Sequence, residues 1–169
     1  MSDSGPVEVM CEGKFIRALK RGRWEYVSRV GDMRAVVILA EYEGKMILID
    51  QPRVALGGRC VELPAGLVGD EDPNATVEYT AVKELEEETG FTAERIERLG
   101  DFHSSPGILS EGFTLVRAHG VSRSGEGGGT EHEDIHVHLV PRGEIPAFVE
   151  QKRAEGFSID VKLLLFLGF

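Results

Sequence analysis

The chain has 169 residues, which suits one domain with a sizeable core, or a domain with a short additional sheet. Its 29 acidic residues outweigh 19 basic ones, for a formal net charge of -10, which argues against non-specific nucleic-acid binding because that needs basic surface. Cys11 and Cys60 make neither a disulfide framework nor a metal-site spacing, the apolar runs at 35–40 and 163–167 are too short to span a bilayer, and no signal peptide is visible, all of which fits a reducing cytoplasm.

The first ten residues read as a loose arm. Alternation predicts strands over 14–19 and 24–30, with a hairpin turn at Arg21-Gly22. A second pair, 35–40 and 46–50, is joined at Glu43-Gly44. A strand leads through Val61-Glu62-Leu63 into a tight turn at Pro64-Ala65-Gly66. Asp72-Pro73 has the chemistry of a helix start, Asp as N-cap and Pro as first helical residue, and Gly90 that of a stop. Further strands are expected over 96–102, 112–118 and 135–140, and helices over 144–154 and 160–166. Residues 122–130 form a Gly/Ser loop centred on Gly127-Gly128-Gly129, flexible by composition. Mixed strands with helices between them make an α/β sandwich, without internal repeats.

Chemistry concentrates in Lys83-Glu84-Leu85-Glu86-Glu87-Glu88-Thr89-Gly90-Phe91. On a helix Glu84, Glu87 and Glu88 stand at i, i+3 and i+4, neighbours on one face. Like charges at that spacing cost on the order of 0.3 kcal/mol per pair. A hard divalent cation turns this cost into binding, since Mg2+ takes oxygen ligands and keeps waters for a substrate's phosphates. At about 100° per residue, Val77, Ala81, Val82 and Leu85 form an apolar stripe, and Glu84 and Glu88 fall at its edge. Acids flanking a buried face suit ligands lining a cleft.

The segment from Glu62 to Phe91 resembles the Nudix box, whose second half reads R-E-U-x-E-E-x-G-U with U apolar. Glu84 through Phe91 match it. Lys83 stands where the family has Arg, supplying the charge without the planar fork. The spacing from Gly66 to Lys83 is three residues longer than the family's, which puts an insertion in the 69–74 loop. Taking Gly69 as the box glycine instead would put Ala75 at a glutamate position. Pro64-Ala65-Gly66 matches the family turn, so Gly66 is preferred, with Glu71 or Asp72 standing in for the missing acid.

Islands outside the box are similar to the ADP-ribose pyrophosphatase subfamily. They are Trp24-Glu25-Tyr26-Val27-Ser28-Arg29, Asp50-Gln51-Pro52-Arg53 with 57–66, and Ser105-Pro106-Gly107 followed by Glu111. Glu131-His132-Glu133-Asp134-Ile135 running into His136-Val137-His138, and Asp160-Val161-Lys162 with its apolar tail, complete the set. The resemblance implies the Nudix fold, a mixed β-sheet sandwiched between α-helices, with an N-terminal antiparallel sheet. It divides the chain into a dimer-forming β-sheet arm, 1–34, and a hydrolase domain, 35–169.

The resemblance also implies roles. Mg2+, with Mn2+ as the alternative ion, is held by Glu84, Glu87, Glu88 and the Ala65 carbonyl. Trp24 stacks on adenine, Glu25 meets its edge, and Arg29 reaches a phosphate. Arg53 is a fixed positive fork for phosphate, and Pro106 and Gly107 lie beside the terminal ribose. The general base is a loop glutamate, Glu131 by position, with Glu133 and Glu111 as alternatives, closed over substrate by the Gly127–Gly129 hinge. The N-terminal sheet crosses a homodimer. The implied reaction is Mg2+-dependent hydrolysis of ADP-ribose to AMP and ribose 5-phosphate by a cytoplasmic enzyme, whose partner is a small nucleoside diphosphate and neither nucleic acid nor membrane. Two rivals stand: another nucleoside diphosphate sugar, such as GDP-mannose, or a dinucleotide as substrate, and a non-cutting ADP-ribose sensor, which Lys83 and the altered spacing favour. His136 and His138 share a strand face, but no further Cys or His sits at a zinc-like spacing.

Overall fold

The computed structural model describes residues 5–31, 33–70, 72–130 and 133–167. Strands β1 (Glu8–Glu12), β2 (Ile16–Arg21) and β3 (Trp24–Arg29) form an antiparallel sheet of their own. There follow β4 (Arg34–Leu39), β5 (Glu41–Tyr42), β6 (Lys45–Arg53), β7 (Gly58–Glu62), β8 (Ala65–Val68) and helix α1 (Val77–Thr89). Then come β9 (Phe91–Thr92), β10 (Arg95–Phe102), β11 (Phe113–His119), β12 (Ser122–Arg123), β13 (His136–Pro141), α2 (Ile145–Ala154), β14 (Ser158–Ile159) and a 3-10 helix, Val161–Phe166. One larger sheet has the order β10-β11-β4-β8, the other β13-β6-β7-β14 with β5 on β6. β4 is parallel to β11 and β7 to β14, and the remaining strand pairs are antiparallel, giving the expected mixed-sheet α/β architecture.

Period-two patterning explains how β4 serves two cores. Val36 and Ile38 face one way, into a cluster with Ile47, Val116 and the helical residues Ala81 and Leu85. Val37 faces the other way, into a cluster with Leu48, Val61, Leu63, Leu163 and the α2 residues Ile145 and Val149. So α1 closes one core and α2 the other. Leu85 and Ile38 are fully buried, and each such side chain contributes roughly 1.5–3 kcal/mol.

Three local expectations are corrected. The first ten residues are not all a loose arm, because Glu8–Glu12 pairs with β2, Val9 opposite Leu19. Helix α1 begins at Val77, not at Pro73: Thr76 is the N-cap, accepting from the Tyr79 N–H at 3.2 Å. Asp72 instead accepts from the Asn74 N–H at 2.9 Å, an Asx turn, which is the other local structure that Asp favours. Pro64-Ala65-Gly66 does not end a strand in a turn. Leu63-Pro64 carries the chain between sheets, and Ala65 and Gly66 open β8, opposite Val37 and Val36. The helix stop is as read: Gly90 has φ 72°, a left-handed conformation that suits glycine, and its N–H donates to the Glu86 carbonyl.

Candidate active site

The β8–α1 contact assembles the acidic face. Glu88 is 4 % exposed, and its Oε2 accepts from the Ala65 N–H at 3.0 Å. The Glu84 side chain lies against Gly66, where a Cβ would meet its Cγ and carboxyl, so a larger residue there would displace Glu84 from this backbone. Burial pushes the Glu88 carboxyl up to about 8, and the charges of Glu84 and Glu133 push the same way against the Ala65 N–H and Arg53. Glu87, in contrast, is half-exposed and accepts from Lys83 Nζ at 2.8 Å. Lys83 therefore braces Glu87 with a point charge.

Among the described residues no three His, Cys, Asp or Glu side chains form a ready-made metal cluster. The donor set nonetheless fits Mg2+, which usually takes one or two carboxylates and fills its remaining positions with water and phosphate oxygens. A buried carboxylate beside a second one, in a cradle that a Cβ would fill, is such a set. Glu84, Glu88 and the Ala65 main chain are the residues that would hold it.

Arg53 is already engaged. Its Nε and Nη2 donate to the two oxygens of Glu62, at 2.7 and 2.6 Å, while Glu62 itself is buried. This two-pronged pair leaves the guanidinium partly exposed and near enough to Glu88 for their charges to interact. The sequence reading missed Glu62 as a partner, although an acid between Val61 and Leu63 in an apolar strand is the signal for one.

The glycine loop is not a free hinge. Gly128 N–H donates to the Glu88 carbonyl at 2.9 Å and Gly129 N–H to the Glu87 carbonyl at 3.0 Å. Ser124 and Gly125 N–H groups both donate to the Gly90 carbonyl. A Cβ on Gly127 would overlap the Thr89 backbone, and one on Gly90 would overlap Gly125. The glycines thus permit a backbone-to-backbone clamp on the end of α1, supplying donors for its orphan carbonyls. The clamp leads to the proposed bases. Glu131 lies outside the described residues, as does Glu71, one of the two stand-ins for the missing box acid. Glu133 Oε2 accepts from the Thr130 N–H at 2.8 Å, and its charge is felt at Glu88. Glu111 forms an ion pair with Arg29, so two residues assigned to separate roles share one contact.

The remaining candidates cluster around β3. Val27 N–H donates to the Ile108 carbonyl at 2.8 Å and Ser110 N–H to the Val27 carbonyl at 2.9 Å, which fastens the loop holding Pro106 and Gly107 to the N-terminal sheet. Ser28, Arg29, Arg34, Ser110, Glu111 and Gly112 line a cleft of about 260 Å³ there. Trp24 is 53 % exposed at the tip of the β2–β3 hairpin, opposite Arg21, with exposed Glu25 opposite Lys20. His136 and His138 do share a strand face, and both turn towards buried Asp50.

The profile of the NUDIX domain matches residues 32–158, well over half of the chain. The chain is 38 % identical over 120 residues to the methanol dehydrogenase activator of Bacillus methanolicus, covering 69 % of this chain and 62 % of that protein. It is 44 % identical over 94 residues to the ADP-ribose pyrophosphatase of Bacillus subtilis (strain 168), covering 54 % and 47 % respectively. A GDP-mannose pyrophosphatase of Cronobacter sakazakii is 32 % identical over 145 residues, covering 81 % of this chain and 72 % of that protein. The match thus spans less than two thirds of the length of the first two relatives. A solved structure of an ADP compounds hydrolase superposes with a TM-score of 0.68 at 23 % identity, covering 86 % of this chain and 80 % of that one, which shows the shared fold. Among the described residues no helix is long and apolar enough to cross a membrane.

Proposed function

This chain belongs to the Nudix family, and from that premise we propose that it is a Mg2+-dependent pyrophosphatase that hydrolyses ADP-ribose to AMP and ribose 5-phosphate. One observation carries the reading: buried Glu88 stands beside Glu84 against the Ala65–Gly66 backbone, where a Cβ on Gly66 would displace Glu84. A carboxyl held at about 8 by burial and neighbouring acids is stabilised when an oxygen-seeking cation replaces its proton.

The divalent ion, when bound, neutralises the diphosphate and lowers the pKa of the attacking water. The protein's share of the chemistry is positional. Glu84, Glu88 and the Ala65 main chain would hold that ion. Arg53, held in orientation by Glu62, offers its exposed edge to a phosphate oxygen. An acid of the loop after the glycine clamp takes the proton from water, Glu131 first and Glu133 as alternative. Gly128 and Gly129, which precede these acids in the chain, are fastened to α1, so positioning is part of the proposed catalysis. Arg29, the Pro106-Gly107 loop, Trp24 and Glu25 select the nucleoside and the sugar. Exposed Trp24 reads the base across a homodimer, with 1–34 as the arm.

The similarity to ADP-ribose pyrophosphatase supports the substrate, and the similarity to GDP-mannose pyrophosphatases over most of the chain supports a second sugar nucleotide as the rival. Purified protein with Mg2+ and a panel of ADP-ribose, GDP-mannose and dinucleotides, read by phosphate release after phosphatase treatment, tests both. Preferential release from ADP-ribose is expected. Preferential release from GDP-mannose would transfer the proposal to that substrate, and none from any compound would overturn the enzyme reading.

A further inference from the structure

The clamp fixes only one end of the acidic stretch. Its other end is held by residues the mechanism above does not use. Asp50, at the inner part of β6, is 1 % exposed. Arg59, on the paired strand β7, donates Nε to Asp50 Oδ1 and Nη2 to the Asp50 carbonyl at 3.1 Å. From the far side of the same guanidinium, Nη1 donates to Asp134 Oδ2 at 2.5 Å and Nη2 to the Asp134 carbonyl at 2.9 Å. His138 Nε2 lies 2.6 Å from the second Asp50 oxygen, and His136 Nδ1 lies 3.4 Å from the first. Burial opposes ionisation of Asp50, yet the hydrogen bonds from His138 and Arg59 outweigh it and hold its carboxyl below the usual value.

Asp134 directly follows Glu133. The Glu133 N–H donates to the Thr130 carbonyl at 3.0 Å, so Glu133 is tied on the side of the glycine clamp and adjoins Asp134 on the other. We propose that Arg59 is a positioning residue: fixed by buried Asp50, it grips Asp134 by side chain and main chain and so sets where Glu133 stands against Glu88. The arrangement needs a guanidinium. One planar group must point donors at two carboxylates and two carbonyls together, which a lysine ammonium cannot do from a single point. The inference rests on the reading that an acid of this stretch serves hydrolysis, but the anchoring itself does not.

The test uses full-length protein, Mg2+ and ADP-ribose, with Arg59→Lys, Asp134→Ala and the double variant. Asp134 is exposed, so Asp134→Ala leaves the buried Asp50–Arg59 pair in place and guards against a mere folding defect. A misplacement of about 1 Å can cost on the order of a hundredfold in rate. Arg59→Lys should lower kcat by about that factor with KM changed less than about threefold. Asp134→Ala should lower kcat less, because the main-chain grip remains, and the double variant should be no slower than Arg59→Lys, since both act through one contact. Amide hydrogen exchange supplies the readout independent of activity. Protection of the Glu133 amide should fall in Arg59→Lys while that of the Gly128 and Gly129 amides holds. Unchanged protection at Glu133 would overturn the anchoring, and lost protection with full kcat would overturn its link to catalysis. If the wild type cleaves none of the panel, the hydrolase reading fails on its own, and the exchange result still decides the anchor.

Discussion

The carboxylate face and the N-terminal sheet differ in how far one chain encloses them. Glu88 is buried, Glu84 is fitted to Gly66, and Glu62 and Arg53 are locked together. Trp24, Phe15, Val9 and Met10 of the N-terminal sheet remain exposed. The first region has the rigidity that stabilising developing charge requires, because preorganised groups need no rearrangement at the moment of reaction. The second has apolar surface that one chain does not cover. Under the proposed function the difference assigns bond breaking and substrate choice to separate regions, so substitutions in the two should move different kinetic constants.

The sharpest break comes from the enclosed region. Glu88→Gln and Glu84→Gln should each lower kcat by roughly a thousandfold and weaken Mg2+ binding, since an amide oxygen replaces a charged ligand beside the diphosphate. Steady-state rates over a Mg2+ titration check this. A near-normal rate at low Mg2+ in either variant would remove the metal assignment.

The next effect is about a hundredfold. Glu131→Gln should lower kcat by that factor, the usual scale of general base catalysis, with KM little changed. An unchanged rate transfers the role to Glu133, whose charge is felt at Glu88. Glu111→Gln should behave differently from both. It frees Arg29 from its ion pair, so KM rather than kcat should move.

Glu88 also predicts a pH dependence of stability for the metal-free protein. Its folded value of about 8 lies above the ordinary 4.5. The folded state therefore keeps a proton that the unfolded chain has already lost. The stabilisation is complete below 4.5, declines as pH rises, and is gone above about 8. Wild-type stability should fall relative to Glu88→Gln across that window, by a few kcal/mol in order of magnitude. Urea melts of both proteins at matched pH check the sign. Adding Mg2+ should restore the wild type selectively and release protons, since ligand oxygens must be deprotonated.

How legible this was from sequence depends on how far apart the partners lie. The acids of α1 were visible because their spacing is local, and Gly90 was visible as a stop for the same reason. The start of α1 was not, because Asp72 can close an Asx turn as readily as cap a helix, and only the packed structure selects Thr76. The glycine run looked flexible because composition speaks to chain entropy and not to contacts. Its partners, the carbonyls of Glu87, Glu88 and Gly90, are reached only once the chain returns past β12. Asp50 was hidden in an apolar strand, with His138 set beside it by the β6–β13 register, 88 residues away in sequence. Glu62 and Arg53 lie within one hairpin, β6–β7, but its register does not set them opposite each other: Arg53 is opposite Gly58 and Glu62 opposite Ile49, so the long Arg53 side chain must reach along the ladder to Glu62. Local chemistry was readable, and chemistry made by sheet register was not.

The smallest effect belongs to the open region. If Trp24 stacks on a base, Trp24→Ala removes a contact of about 1–3 kcal/mol, so KM should rise roughly tenfold at nearly constant kcat. This contrasts with the kcat losses at Glu88 and is the counterpart half of the comparison. The same residue reports on assembly. Trp24 sits on a sheet whose exposed apolar side chains invite a second copy, so the KM defect should be rescued in mixed dimers carrying one intact arm and one intact carboxylate face. Such complementation between Trp24→Ala and Glu88→Gln proteins would show that the arm of one chain serves the site of another. Equal KM defects in a strictly monomeric protein, measured by light scattering, would confine the arm to its own chain and end the dimer proposal.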